Sequence, residues 1–175
     1  MLYRRRVITR ERVAAFGYVY VVLGLIALVL GADHGRAASA VFTPAAFAYL
    51  WFLGSLRARI IRFDPDGFFA SVVVLGGASF LALQAAALAE QDVELAAPGA
   101  GCAATVVIGS SLAALRARKV SKTFGRLGIA GGAAVLAVGF AEGAGGWTLW
   151  DSTVWASSIG FMVWVVVTAT YLLRR

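Results

Sequence analysis

Few side chains in this sequence could do chemistry, and they are scattered. His34, in GADHGR, is the only histidine, so a bis-histidine haem or a histidine-rich metal site within one chain is excluded. It could supply one axial ligand to a haem or pigment, or a proton that exchanges near neutral pH. The plainer reading is an imidazole solvated in a loop beside Asp33 and Arg36. Glu142 is the acid nearest an apolar run, and a carboxylate inside a bilayer is functional by default. It lies roughly 27 Å of helix beyond Phe124, which puts it at the interface and not at the midplane. Glu90, Asp92 and Glu94 form an acidic cluster without the spacing of a calcium loop.

The remaining polar groups inside apolar stretches are mild. Gln84 carries an amide that needs partners if buried. Ser79, Thr105, Ser110, Ser111, Thr168 and Thr170 can bond their own backbone, so none demands a substrate. Gln84, Ser110, Ser111 and Glu142 are the residues that could line a polar path. Cys102 is the only cysteine and sits among small apolar residues, which excludes an intrachain disulfide and a cysteine metal cluster. There is no HExxH, no P-loop, no acid pair inside an apolar run, no pair of broken helices, and no Ser-His-Asp set around the single histidine. These absences weigh against an enzyme and against an ion-coupled transporter, and no metal or cofactor is expected.

The elements that would position these groups are membrane helices. Of 175 residues, 61% are hydrophobic and 14% charged, with a mean hydropathy of +0.82; an average soluble domain carries about 25% charged residues. Six apolar runs each approach the ~20 residues needed to cross ~30 Å of hydrocarbon. They are 13–30, 41–56, 67–89, 99–115, 124–141 and 154–173, with Pro44 placed in the first turn of the second. Met1 to Leu30 has the basic start and apolar middle of a signal peptide, but its apolar run is too long and lacks a small-x-small exit, so it reads as a retained helix.

A net charge of +7 would suggest nucleic acid in a soluble protein, but here the bases stand at the ends of apolar runs. Arg4, Arg5, Arg6, Arg10 and Arg12 precede the first run. Arg57, Arg59 and Arg62 follow the second, Arg116, Arg118, Lys119, Lys122 and Arg126 separate the fourth from the fifth, and Arg174 and Arg175 end the chain. Fifteen of the 16 Lys and Arg residues thus fall on alternate connections. The expectation is six spans in a bacterial cytoplasmic membrane with both termini inside, the arginines of the second and fourth runs and Lys119 meeting anionic headgroups.

Close helix approach in lipid depends on small residues. Gly17, Gly24 and Gly31 mark one face of the first helix; Gly128 and Gly132 make a GxxxG in the fifth; Gly76, Gly77 and Ser79 do similar work in the third. Each seam could lie within the chain or against a partner. Trp147, Trp150 and Trp155 gather at the outer end of the sixth helix as an interfacial belt, and EGAGGWTLWDST, 142–153, is the preferred partner surface. LRAR recurs at 56–59 and 115–118, each copy leading into a Gly-Gly helix, which suggests a duplicated hairpin; shared membrane composition explains the same likeness.

With LWFLGSLRAR at 50–59, LAALRAR at 112–118, FGRLG at 124–128 and a terminal LLRR, the chain resembles a group of uncharacterised actinobacterial integral membrane proteins over 47–175. That group commonly shows LWFLGSLRARL and, later, SLVALR leading to a WLGWLG-like helix start; the tryptophans of that start are missing here. The resemblance implies a small helical bundle and transfers no catalytic residues. The functional expectation is a non-catalytic membrane subunit or scaffold that packs within a larger membrane protein complex; the expected association is with a membrane protein partner or with further copies of the chain. The alternatives are a small-solute or lipid transporter or permeability factor acting as a homo-oligomer, and pigment or haem binding through His34.

Overall fold

In the computed structural model the described residues are all-α and form six helices: α1 (Leu2–Gly31), α2 (Gly35–Ile60), α3 (Phe68–Glu90), α4 (Ala96–Arg116), α5 (Lys122–Gly143) and α6 (Trp150–Leu173). The structure describes the backbone of residues 2–31, 35–90, 96–118, 121–143 and 150–173, and side chains within 15–30, 36–87, 98–118, 121–140, 158–171 and 173. Within these bounds, four helices (α2 to α5) are long and apolar enough to cross a membrane. The described parts of α1 and α6, Ala15–Leu30 and Ser158–Tyr171, are shorter apolar helices. In hydrocarbon only a helix or a closed barrel satisfies its own backbone groups, and uninterrupted aliphatic runs of this length take the helical solution.

Consecutive helices pack on one another from α1 to α6, and α6 returns against α1 as well as α5, so the bundle closes into a ring; α6 and α2 also reach α4 across it. Aromatic side chains fill the middle. Tyr20 of α1 lies 4.7 Å from Tyr49 of α2, ring centre to ring centre, and Tyr49 lies 5.8 Å from Phe161 of α6. Phe80 of α3 reaches Phe161 at 4.8 Å, and Phe161 stacks on Trp164 at 5.7 Å. Tyr49, Phe52 and Phe161 are fully buried. Each tilted or edge-on pair is worth about 0.5–1.5 kcal/mol beyond the area it buries.

The outer surface is the reverse of a soluble protein's. Phe47, Leu75, Leu127 and Phe140 are each about two-thirds exposed and belong to α2, α3 and α5, which gives these three helices apolar faces for lipid.

The helices extend past the apolar runs, and two consequences differ from the sequence reading. Because α2 begins at Gly35, Pro44 lies inside the helix and not in its first turn; its missing N–H leaves the Ala40 carbonyl without its intrahelical donor. One residue earlier, the Thr43 hydroxyl donates to Ser39 O at 3.0 Å. The two LRAR copies also diverge. In the first, the helix continues through Arg59 to Ile60, whereas in the second it stops at Arg116 and Arg118 takes a left-handed φ of 51°, closing the helix end with its N–H on Leu115 O at 3.0 Å.

The turn between α2 and α3 is tight. Asp64 is buried, and its carboxylate Oδ2 accepts from Phe69 N–H at 2.7 Å and from Ala70 N–H at 3.4 Å. It therefore caps the first turn of α3, where four N–H groups lack intrahelical acceptors. Gly67 closes this turn at φ 68°, a conformation that costs a residue with a Cβ. Ser121 caps α5 in the same manner, accepting from Phe124 N–H at 3.1 Å.

Candidate functional site

The ends of four helices meet around a cavity of about 60 Å³. From α2 come Leu56, Arg59 and Ile60, followed by Phe63 of the turn. Ser110, Ser111 and Ala114 line it from α4, Phe124 and Gly125 from α5, and Trp164, Thr168 and Tyr171 from α6. Leu56 and Ile60 are buried at its back and Phe124 is exposed at its rim. Among the described residues the walls are thus apolar and aromatic, with one guanidinium and several hydroxyls converging on them and no carboxylate in the lining. This is the usual composition of a ligand site.

The helix ends explain why these groups meet. The apolar run of α2 stops at arginine, and the helix carries Arg59 one turn further with its stem half-buried. On α4, Ser110 and Ser111 are both nine-tenths buried. Ser110 Oγ donates to Val107 O at 3.0 Å, while Ser111 makes no such bond among the described residues and lies over Gly128 of α5. Small residues permit this approach: a Cβ on Gly125 would collide with Leu115, and one on Gly128 with the Ser111 hydroxyl.

The other predicted residues are dispersed. Gln84 is partly buried on α3, its amide against Gly99 of α4, away from the cavity lined by Ser110 and Ser111. Gly17 and Gly24, read as partner contacts or seams, face α6 within the chain: a Cβ at Gly17 would stand 3.0 Å from Ala169 Cβ, and one at Gly24 2.9 Å from Met162 Cε. A Cβ at Gly132 would press on Ile108 and stand 3.3 Å from Ala104 O, and one at Gly76 would stand 3.2 Å from Cys102 O. These glycines build the bundle itself. Arg57, Arg62, Arg116 and Arg118 are exposed. His34, Asp92, Glu94, Lys119 and Trp147 lie outside the described residues. Glu142 sits in the last turn of α5 and Trp150 and Trp155 at the start of α6, with side chains outside the described set.

Sequence reading did not single out Arg59, Trp164 and Tyr171 as one group, since they come from helices far apart in the chain. Among the described residues no group of three His, Cys, Asp or Glu side chains could hold a metal. No family model matches the chain, and no curated protein or solved structure matches it.

Proposed function

We propose that the protein is a non-catalytic integral membrane subunit or scaffold that packs within a larger membrane assembly, with six spans and both termini on the cytoplasmic side. The observation that carries this reading is the filled centre of the ring. Tyr20, Tyr49, Phe52, Phe80 and Phe161, contributed by α1, α2, α3 and α6, interlock where a transporter needs a polar site between moving halves. The serine and threonine hydroxyls bonded to their own helices support it too: Thr105 to Gly101 O, Ser110 to Val107 O and Thr170 to Val166 O. Such groups stabilise helices in lipid and leave little to bind a solute.

The basic residues supply the orientation. Arg59 of α2, Phe124 of α5 and Tyr171 of α6 share one end of the bundle, so the arginines flanking them gather at that end, where anionic headgroups and the positive-inside rule place them. The resemblance of 47–175 to small actinobacterial bundles adds architecture and no chemistry.

The reading is tested by photo-crosslinking in intact membranes from outward-facing positions on two helices, Leu75 of α3 and Leu127 and Phe140 of α5. A discrete adduct with one larger membrane protein, formed from a subset of these positions, is expected. Adducts with lipid alone, or only with further copies of the chain, would sink it.

A further inference from the structure

We infer that the cavity between α2, α4, α5 and α6 is a binding site for the acid group and first methylenes of an anionic amphiphile drawn from the surrounding leaflet. The inference stands apart from the subunit reading, because a bundle with or without a partner can hold such a ligand.

Three features select this chemistry. Among the described residues Arg59 is the only charged one in the lining, and no acid there offsets it; the nearby Asp64 carboxylate is committed to Phe69 and Ala70 N–H. Guanidinium pairs with carboxylate or phosphate through two parallel hydrogen bonds. Next, Ser111 is nine-tenths buried in the lining and keeps its hydroxyl hydrogen free among the described residues, so it can donate to an anion. Ser110 has given its proton to Val107 O. The N–H groups of Phe124 and Gly125 at the start of α5 are likewise taken by Ser121, so an anion must be held by side chains. Finally, Leu56, Ile60, Phe63, Phe124 and Trp164 give the cavity apolar walls, which suit methylenes and reject a fully hydrated ion. A volume of about 60 Å³ accepts a headgroup acid or a few methylenes, not a whole lipid.

The shared chemistry, one anionic acid group joined to an apolar acyl body, is found in a diacyl phospholipid, through its glycerol, and in a free fatty acid, directly on the chain. Both are used as probes: phosphatidylglycerol and oleate are titrated into the detergent-solubilised chain, with phosphatidylcholine as the control lacking net charge, and bound adducts are counted by native mass spectrometry. One saturable adduct with phosphatidylglycerol, oleate or both is expected, and the stronger identifies the source. Arg59→Gln weakens it about tenfold, the loss of one charged hydrogen-bonding partner, while Arg57→Gln, one turn-face away and exposed, changes it less than about twofold. Ser111→Ala weakens it severalfold, and Ala114→Leu, which fills the cavity without changing charge, abolishes it. The folded state of each variant is followed by its melting temperature, and the Arg59 and Ser111 variants carry the test should Ala114→Leu fail to fold. Equal weakening by Arg57→Gln and Arg59→Gln, equal binding of phosphatidylcholine, or no saturable adduct with either probe overturns the site.

Discussion

The hydroxyl of Tyr18, near the start of the described part of α1, lies 2.7 Å from Thr170 Oγ1, near the end of α6. Thr170 gives its own proton to Val166 O at 2.7 Å, so Tyr18 is the donor in the interhelical bond. This bond, with Gly17 against Ala169 just beside it, ties the first helix to the last and closes the ring. Interhelical hydrogen bonds of this kind average about 0.6 kcal/mol in membranes and reach about 1.7. Tyr18→Phe and Thr170→Val should each destabilise the bundle by that order, and the double variant by little more than either. Denaturant unfolding of the four species measures the coupling; full additivity would show that the bond is not made.

At the centre of the ring, Tyr49 is fully buried and its hydroxyl has no hydrogen-bond partner among the described residues. A buried polar atom left unpaired costs about 1–3 kcal/mol. Tyr49→Phe should therefore raise stability by about 1 kcal/mol while preserving the ring contacts, whereas Tyr49→Ala should cost about 3–5 kcal/mol by emptying the core. A melting temperature that falls for Tyr49→Phe would mean that the hydroxyl is satisfied in the folded protein.

Adjacent glycines of α5 should respond with opposite signs. Gly131 faces open space, with nothing within 4 Å of an added Cβ, whereas Gly132 presses on Ile108 and the Ala104 carbonyl. Gly131→Ala should be neutral or stabilising by up to about 1 kcal/mol, from helix propensity. Gly132→Ala should cost about 1–3 kcal/mol, because α4 and α5 must separate or repack. Thermal unfolding in one detergent compares them, and equal effects would contradict the seam.

Arg118 pays for its left-handed φ of 51° at the end of α4. Arg118→Gly should relieve about 1 kcal/mol of strain, and Gly67→Ala, at φ 68° in the α2–α3 turn, should lose about as much. Both are read from unfolding midpoints; stabilisation by Gly67→Ala would show that the turn is built differently.

The sequence was most informative where the physics is local. Five of the six apolar runs fall inside helices, and the third does so but for Gly67, because an uninterrupted aliphatic stretch has one local solution in lipid; Gly17, Gly24 and Gly132 sit at helix contacts because lipid rewards close approach. Two local features were less visible. Asp64, not singled out from the sequence, is a buried cap; Asp-Pro-Asp-Gly before an apolar run at 64–69 is a helix-start signal that could have shown it. The start of α2 was hidden because Ala37, Ala38 and Ser39 carry little hydropathy, and so Pro44 moved from first turn to interior. The cavity was not legible at all. Arg59 read as a headgroup contact and Thr168 as a mild hydroxyl, and only the return of α6 brings both to Ser110 and Ser111.

If the bundle is a part of something larger, the mass of the intact assembly shows it. The chain, tagged and expressed at native level, is extracted in mild detergent and its assembly weighed by native mass spectrometry, with every co-purifying polypeptide quantified. The account predicts a stoichiometric complex in which this 18.3 kDa chain accompanies a larger membrane protein. A lone monomer, or an oligomer of this chain only, would contradict it.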